Sequence, residues 1–255
     1  MDPAWVVLLA GVVAALQVGK LPPALPVLQD TLGVSLVQAG FLLSLVQLAG
    51  MLLGLFVGLS ADGVGLRRSM MLGLGLLGLC STLGLVARDP ADLLALRAVE
   101  GTGFLLASLP APSLIRRLVP PDRLSRALGW WGAYMPIGTA LALLAGPLVM
   151  DWAGWRLWWA GLGALALGMA AWVWWRVPSD AAWEHSTSTR DRGMSGASAV
   201  QVATGAPGRL HRTLAAPGPW LVAGCFAVYS GQWLAVVGFL PSIYTRAGIS
   251  GSMLG

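Results

Sequence analysis

Charge is what this sequence has least of: Asp, Glu, Lys and Arg make up 11% of its 255 residues, less than half the ~25% of a soluble domain. That excludes a water-soluble globular fold. Cysteine is nearly absent too, and Cys80 and Cys225 fall in separate apolar segments, which excludes a disulfide framework and leaves them as packing residues. The two histidines, His185 and His211, lie in one polar stretch without metal-ligand spacing, so no metal centre and no cofactor are expected. A membrane-embedded enzyme has little support, since there is no membrane-depth His cluster, no Gly-x-Ser-x-Gly and no paired Asp near a membrane centre. What fills the chain instead is apolar: 56% hydrophobic residues and a mean hydropathy of +0.74 make it an all-α integral membrane protein whose first partner is the lipid bilayer. The net charge of +5 and pI near 10.0 do not indicate nucleic acid, because most arginines sit in short loops between apolar runs.

Apolar segments run at 4–28, 35–59, 69–87, 93–118, 125–150, 155–177 and 218–245, each reaching the ~20 residues a spanning helix needs. Seven transmembrane helices are expected. The first is no cleavable signal peptide, because Asp2 rather than a basic residue precedes it and the run continues past any small-residue cleavage site. With the N-terminus inside, the inner loops hold Arg67, Arg68, Arg116, Arg117, Arg123, Arg126, Arg176, Arg190, Arg192, Arg209 and Arg212, and the outer loops only Arg88, Arg156 and Arg246. That asymmetry predicts an N-inside protein of the cytoplasmic membrane. Trp152, Trp155, Trp158 and Trp159 then mark the outer boundary of helices 5 and 6, and Trp172, Trp174 and Trp175 the inner end of helix 6, as interface anchors.

The chain repeats itself. Asp62-Gly-Val-Gly65-Leu-Arg67 recurs 89 residues on as Asp151-Trp-Ala-Gly154-Trp-Arg156, each time between the second and third helix of a triplet and followed by a Gly-rich helix. One copy lies inside and the other outside, which predicts inverted three-helix repeats of the kind that build transporter halves. A second echo links Leu21-Pro22 and Gly33-Val34-Ser35-x4-Gly40 to Leu240-Pro241 and Gly248-Ile249-Ser250-x4-Gly255, so the seventh helix reads as the first of another half. Residues 178–217, rich in Ser, Thr, Gly, Ala and Arg, read as a flexible linker. The expected domains are 1–177, a six-helix half; 178–217, a cytoplasmic linker; and 218–255, the first helix of an incomplete second half.

The turn Gly58-Leu-Ser-Ala-Asp62-Gly-Val-Gly65-Leu-Arg67-Arg68 resembles the signature loop between helices 2 and 3 of major facilitator superfamily transporters, with Gly63 and Leu66 where that family usually has basic residues. Gly154-Trp155-Arg156 is similar to the family's turn before helix 6, and Arg97-Ala-Val-Glu100-Gly101-Thr-Gly103 to its helix 4 pattern, with Glu for Gln. Gly138, Ala142, Gly146 and Pro147 resemble the Gly-Pro motif of family antiporters. The resemblance implies a permease performing secondary active transport of a small solute by alternating access, with Gly58, Asp62, Gly65, Arg67, Gly146 and Pro147 in gating or conformational roles. A non-transporting membrane scaffold or regulatory fragment is the alternative.

Within the spans the ionisable residues are Lys20, Arg97 and Glu100. At ~1.5 Å per residue, Lys20 lies roughly 8 Å from the outer edge of a ~30 Å core, Arg97 about 8 Å and Glu100 about 12 Å below the same edge. They therefore share a layer. Two readings follow: a structural ion pair with Lys20 snorkelling outward, or Lys20 and Arg97 meeting an anionic part of the substrate while Glu100 carries a coupling proton or gates access. Gly50, Gly54 and Gly58 mark one face of helix 2 for close helix approach.

Overall fold

The computed structural model describes residues 2–180 and 215–246, with the side chains at 49–51, 53–63 and part of the last helix outside the described residues. The described residues form α1 (Pro3–Gly19), α2 (Leu21–Leu32), α3 (Leu36–Val64), α4 (Leu66–Leu83), α5 (Pro90–Ser108), α6 (Ala111–Leu118), α7 (Pro121–Gly132), α8 (Tyr134–Arg176) and α9 (Pro217–Arg246), with a 3-10 turn at Gly84–Val86 after α4. The all-helical reading of the composition is what the described residues adopt.

Prolines punctuate the long spans. Pro22 and Pro23 follow the one-residue interruption at Lys20, Pro110 precedes α6, and Pro136 follows Ala133, each removing an N–H that an unbroken helix would use. Between α2 and α3, Gly33 at φ 66° closes the first helix, and Ser35 and Gln38 exchange side-chain to backbone hydrogen bonds of 3.2 and 2.9 Å, a capping box that opens the second. Asp89 caps α5 by accepting from the Asp92 N–H at 3.0 Å, with Pro90 in the first turn.

Four helical stretches among the described residues are long and apolar enough to cross a membrane, Pro3–Leu32, Leu66–Val86, Pro90–Leu118 and Pro121–Arg176, against the seven expected. The expected segments 125–150 and 155–177 have merged into one stretch, in which Gly154 (φ 76°, ψ 164°) is the non-helical residue inside α8. The side chains of segments 35–59 and 218–245 lie partly outside the described residues; their helices, α3 and α9, run 29 and 30 residues, and their fully described apolar parts are Leu36–Leu48 and Ala227–Leu240. Most of the linker and its histidines, His185 and His211, also lie outside the described residues, as do the side chains at Gly50, Gly54, Gly58 and Asp62.

The turn at Gly58–Arg68 is shorter than the sequence suggests. Helix α3 continues to Val64 and α4 starts at Leu66, so only Gly65 is non-helical, at φ 92° and ψ 141°. Gly65 and Gly154, at equivalent places in the sequence repeat, share this left-side extended conformation, which is open essentially to glycine alone.

The helices cross at glycines. A Cβ on Gly78 would lie 2.9 Å from the Gly163 carbonyl oxygen, and one on Gly163 equally close to that of Gly78, so α4 and the second part of α8 meet backbone to backbone. Helices α4 and α5 do the same at Gly73 and Gly103, and α1 meets the first part of α8 where Gly138 faces Val12 and Ala15. Two apolar clusters result. One gathers Val6, Met70, Leu74, Leu114, Ile115 and Val173 towards the arginine-rich end. The other gathers Leu21, Leu25, Leu42, Leu93, Trp155 and Trp159 towards the opposite end.

The tryptophans divide differently from expectation. Trp152, Trp174 and Trp175 are exposed, as interface anchors should be, but Trp155, Trp158 and Trp159 are buried in the second cluster. The sequence places them near a helix end. Trp158 Nε1 instead donates to the Lys20 carbonyl at 3.3 Å, and Trp159 lies against Gly84 with its ring edge-on to that of Trp155, centroids 5.6 Å apart. Of the cysteines, Cys80 is buried as expected and Cys225 is exposed on α9.

Candidate functional site

Between the two apolar clusters lies a buried polar layer made of Gln17, Lys20, Ser81, Arg97 and Glu100. Its centre is Glu100. Lys20 Nζ donates to Glu100 Oε1 at 2.6 Å and Arg97 Nη1 to Glu100 Oε2 at 2.8 Å, so one carboxylate bridges two cations from different helices. The three residues that the sequence placed at one depth are thus in direct contact.

Lys20 is fully buried, so it does not snorkel. The reason is that its ammonium has a partner for each of its three N–H groups: Glu100, Gln17 Oε1 at 2.9 Å and Ser81 Oγ at 2.9 Å. The Trp159 ring centroid lies 5.1 Å from Nζ and adds a cation–π contact. Gln17 and Ser81 are held in turn, Gln17 Nε2 donating to the Leu162 carbonyl at 2.8 Å and Ser81 Oγ to that of Trp159 at 2.9 Å.

Arg97 is recruited by the proline break. Pro22 has no N–H, so the Val18 carbonyl four residues earlier loses its helical partner. Arg97 Nη2 donates to that carbonyl at 3.1 Å, Nη1 to the Gln17 carbonyl at 2.7 Å and Nε to the Leu42 carbonyl at 3.2 Å. The guanidinium therefore ties α1, α3 and α5 together while Glu100 neutralises it. Gln17, Ser81 and Trp159 are the members that sequence reasoning missed. Gln17 sits three residues before Lys20 on one helical face, a legible signal; Ser81 and Trp159 join only through tertiary packing.

The conformational candidates lie elsewhere. Around Gly65, the Asp180 carboxylate accepts from the Arg67 and Arg68 backbone N–H groups at 3.2 and 3.3 Å. It caps α4 from a residue more than a hundred positions away, and a Cβ on Gly65 would come within 2.4 Å of it. Asp180→Ala should therefore lower stability by about 1 kcal/mol, the usual worth of an N-cap, as read by thermal unfolding in detergent. Arg67 Nη2 donates to the Trp174 carbonyl and lies over the Trp174 ring at 5.1 Å. At the opposite end, Arg156 Nε donates to the Leu85 carbonyl at 3.1 Å, Nη2 to that of Ala87 at 2.9 Å, and the guanidinium covers Trp155 at 4.5 Å. Each arginine thus satisfies carbonyls at the C-terminal end of the other triplet's third helix. Gly146 packs against Pro23, and Pro147 is buried inside α8, neither of them near Gly65 or Arg67. The side-chain calls on Gly58 and Asp62 lie outside the described residues.

A small cavity of about 20 Å³ lies beside this layer, lined by Val18, Gly19, Leu43, Gln47, Thr139 and Val237 among others. None of Lys20, Arg97 or Glu100 lines it.

The sequence profile of the Major Facilitator Superfamily matches residues 7–255. The chain is 38% identical to the puromycin resistance protein pur8 of Streptomyces alboniger over 52% of its own length and 27% of that protein's. It is 32% identical to a chloramphenicol resistance protein of Pseudomonas aeruginosa, over 60% and 37% respectively, and 34% identical to the cephamycin export protein CmcT of Amycolatopsis lactamdurans, over 52% and 28%. The chain thus spans about a third of the curated relatives it matches. Among solved structures, a bacterial homologue of the human lysosomal transporter Spinster, inward-facing and unoccupied, matches with a TM-score of 0.73 at 19% identity, covering 98% of this chain and 56% of that one. A D-xylose–proton symporter matches with a TM-score of 0.67 at 16% identity, over 98% and 63%. An all-helical integral membrane chain with this fold and this profile match belongs to the Major Facilitator Superfamily, a family of membrane transport proteins and not of enzymes.

Proposed function

We propose that the chain is part of a secondary active transporter that moves a small solute by alternating access, with residues 1–177 forming a six-helix half of two inverted three-helix repeats. The observation that carries this is the exchange between the repeats. Gly65 and Gly154 share one rare backbone conformation, and Arg67 and Arg156 each hold the end of the other repeat's third helix, which is the pairing an in-plane pseudo-twofold axis requires. On this reading 178–217 links the half to a second one that begins with the helix at 218–245, and the arginine-rich end faces the cytoplasm.

The buried layer works as a proton-sensitive lock. With Glu100 ionised, Lys20 and Arg97 are both satisfied and the layer is closed. When Glu100 takes up a proton, an anionic part of a substrate replaces its carboxylate as the counter-charge of Lys20 and Arg97, so the two buried cations are never bare together. Its excess of one positive charge supports an anion over a cation. Relatives named for resistance to puromycin and chloramphenicol support export as the direction. In a drug-susceptible bacterial host, the full gene product should raise tolerance to an anionic antibiotic such as a cephamycin, whose export one relative is named for, and a protonophore should abolish the gain. Unchanged drug accumulation in energised cells would overturn the reading. Lys20→Ala should raise the apparent substrate constant; unchanged transport in that variant would remove Lys20 from substrate binding.

A further inference from the structure

A groove on the outer face of α4 takes no part in the transport reading. It holds about 640 Å³ and is lined by Arg68, Met71, Leu72, Gly75, Leu79 and Trp174, among others. Its apolar walls face outward: Leu72 is 59% exposed, Leu79 53% and Trp174 65%, so in a bilayer they meet lipid rather than protein. Arg68, Leu72, Gly75 and Leu79 follow one another at helical spacing, forming a single stripe along the helix. Gly75 makes the notch. Gly73 and Gly78 on the same helix are required by backbone crossings, but a Cβ on Gly75 would meet nothing within 4 Å. Packing among the described residues does not account for a glycine there, at a cost of about 1 kcal/mol in helix propensity.

The groove has a charged mouth and a defined length. Arg68 is exposed at the start of α4 and makes no ion pair among the described residues. The nearby Asp180 carboxylate is already committed to the Arg67 and Arg68 backbone N–H groups. Arg67 and Arg176 stand over Trp174 and Trp175 at the same end, giving the cation and tryptophan belt of a membrane interface. From Arg68 to Leu79 the helix rises about 16 Å, which matches one leaflet of a ~30 Å hydrocarbon core. A cation at headgroup level above an apolar channel one leaflet deep is complementary to a molecule with an anionic head and a long chain.

We propose that this groove binds an anionic phospholipid, its phosphate on the Arg68 guanidinium and one acyl chain lying along Leu72, Gly75 and Leu79. The test is native mass spectrometry of the purified chain released from nanodiscs containing equal phosphatidylglycerol and phosphatidylcholine. The wild type should retain phosphatidylglycerol preferentially. Arg68→Gln should cut that preference about fivefold, the worth of one basic side chain near an anionic surface, and Arg68→Lys should keep most of it. Gly75→Phe, which fills the notch without touching the charge, should lower retention of both lipids. Because residues 68 and 75 face outward, none of the three variants should lower the melting temperature in detergent. Equal retention of the two lipids by the wild type overturns the proposal, and so does an unchanged preference in Arg68→Gln, as would follow if the Asp62 side chain held that guanidinium.

Discussion

Glu100→Gln is expected to remove most of the folded protein. Glu100 is the shared counter-charge of Lys20 and Arg97, and all three are at least nine-tenths buried. Removing one partner of a buried ion pair typically costs about 3–5 kcal/mol, because the remaining charge is left uncompensated. Here two charges are stranded. Arg97→Gln should cost less, since Glu100 keeps Lys20, although the Gln17, Val18 and Leu42 carbonyls lose their donor. The measurements are the monodisperse fraction after extraction and thermal unfolding in detergent. Wild-type yield and melting temperature in Glu100→Gln would sink the account of the layer as a charge lock. Recovery of both yield and transport in the Arg97→Gln, Glu100→Gln double variant would confine Arg97 to a structural role.

The second large effect concerns two glycines two residues apart. Gly73→Ala puts a Cβ 2.3 Å from the Ala107 nitrogen and 2.5 Å from the Gly103 carbonyl oxygen. Both are backbone atoms, so α4 and α5 must separate, at a cost of about 1–3 kcal/mol or more. Gly75→Ala meets nothing within 4 Å and should be neutral or stabilising by up to about 1 kcal/mol through helix propensity. Parallel melting curves in detergent test the contrast. If the two variants melt together, the α4–α5 crossing does not depend on backbone contact at Gly73.

These outcomes bear on more than stability. The charged layer divides one apolar cluster from the other, and it joins α1, α4 and α5 at the level of the proline break. A change in its charge would therefore act where α1 is already interrupted, at the Val18 carbonyl that the break frees and Arg97 holds.

By itself the sequence determined that this is an all-helical membrane chain, because the paucity of charge and the long apolar runs leave no other way to satisfy the backbone. It also determined the common depth of Lys20, Arg97 and Glu100, since depth follows from counting residues along a helix of fixed rise. The repeat of Asp, Gly and Arg was legible as spacing, and the rare backbone conformation at Gly65 and Gly154 follows from what glycine alone can adopt. Only the tertiary structure decided that Lys20 is sealed rather than snorkelling, because the answer rests on Ser81 and Trp159, residues brought in by helices packed from elsewhere in the chain. It likewise decided that Trp155, Trp158 and Trp159 face inward, and that Asp180 caps a helix beginning at Leu66. Depth is a one-dimensional property of a helix; the direction in which a side chain points, and what meets it there, depends on how the helices turn against one another.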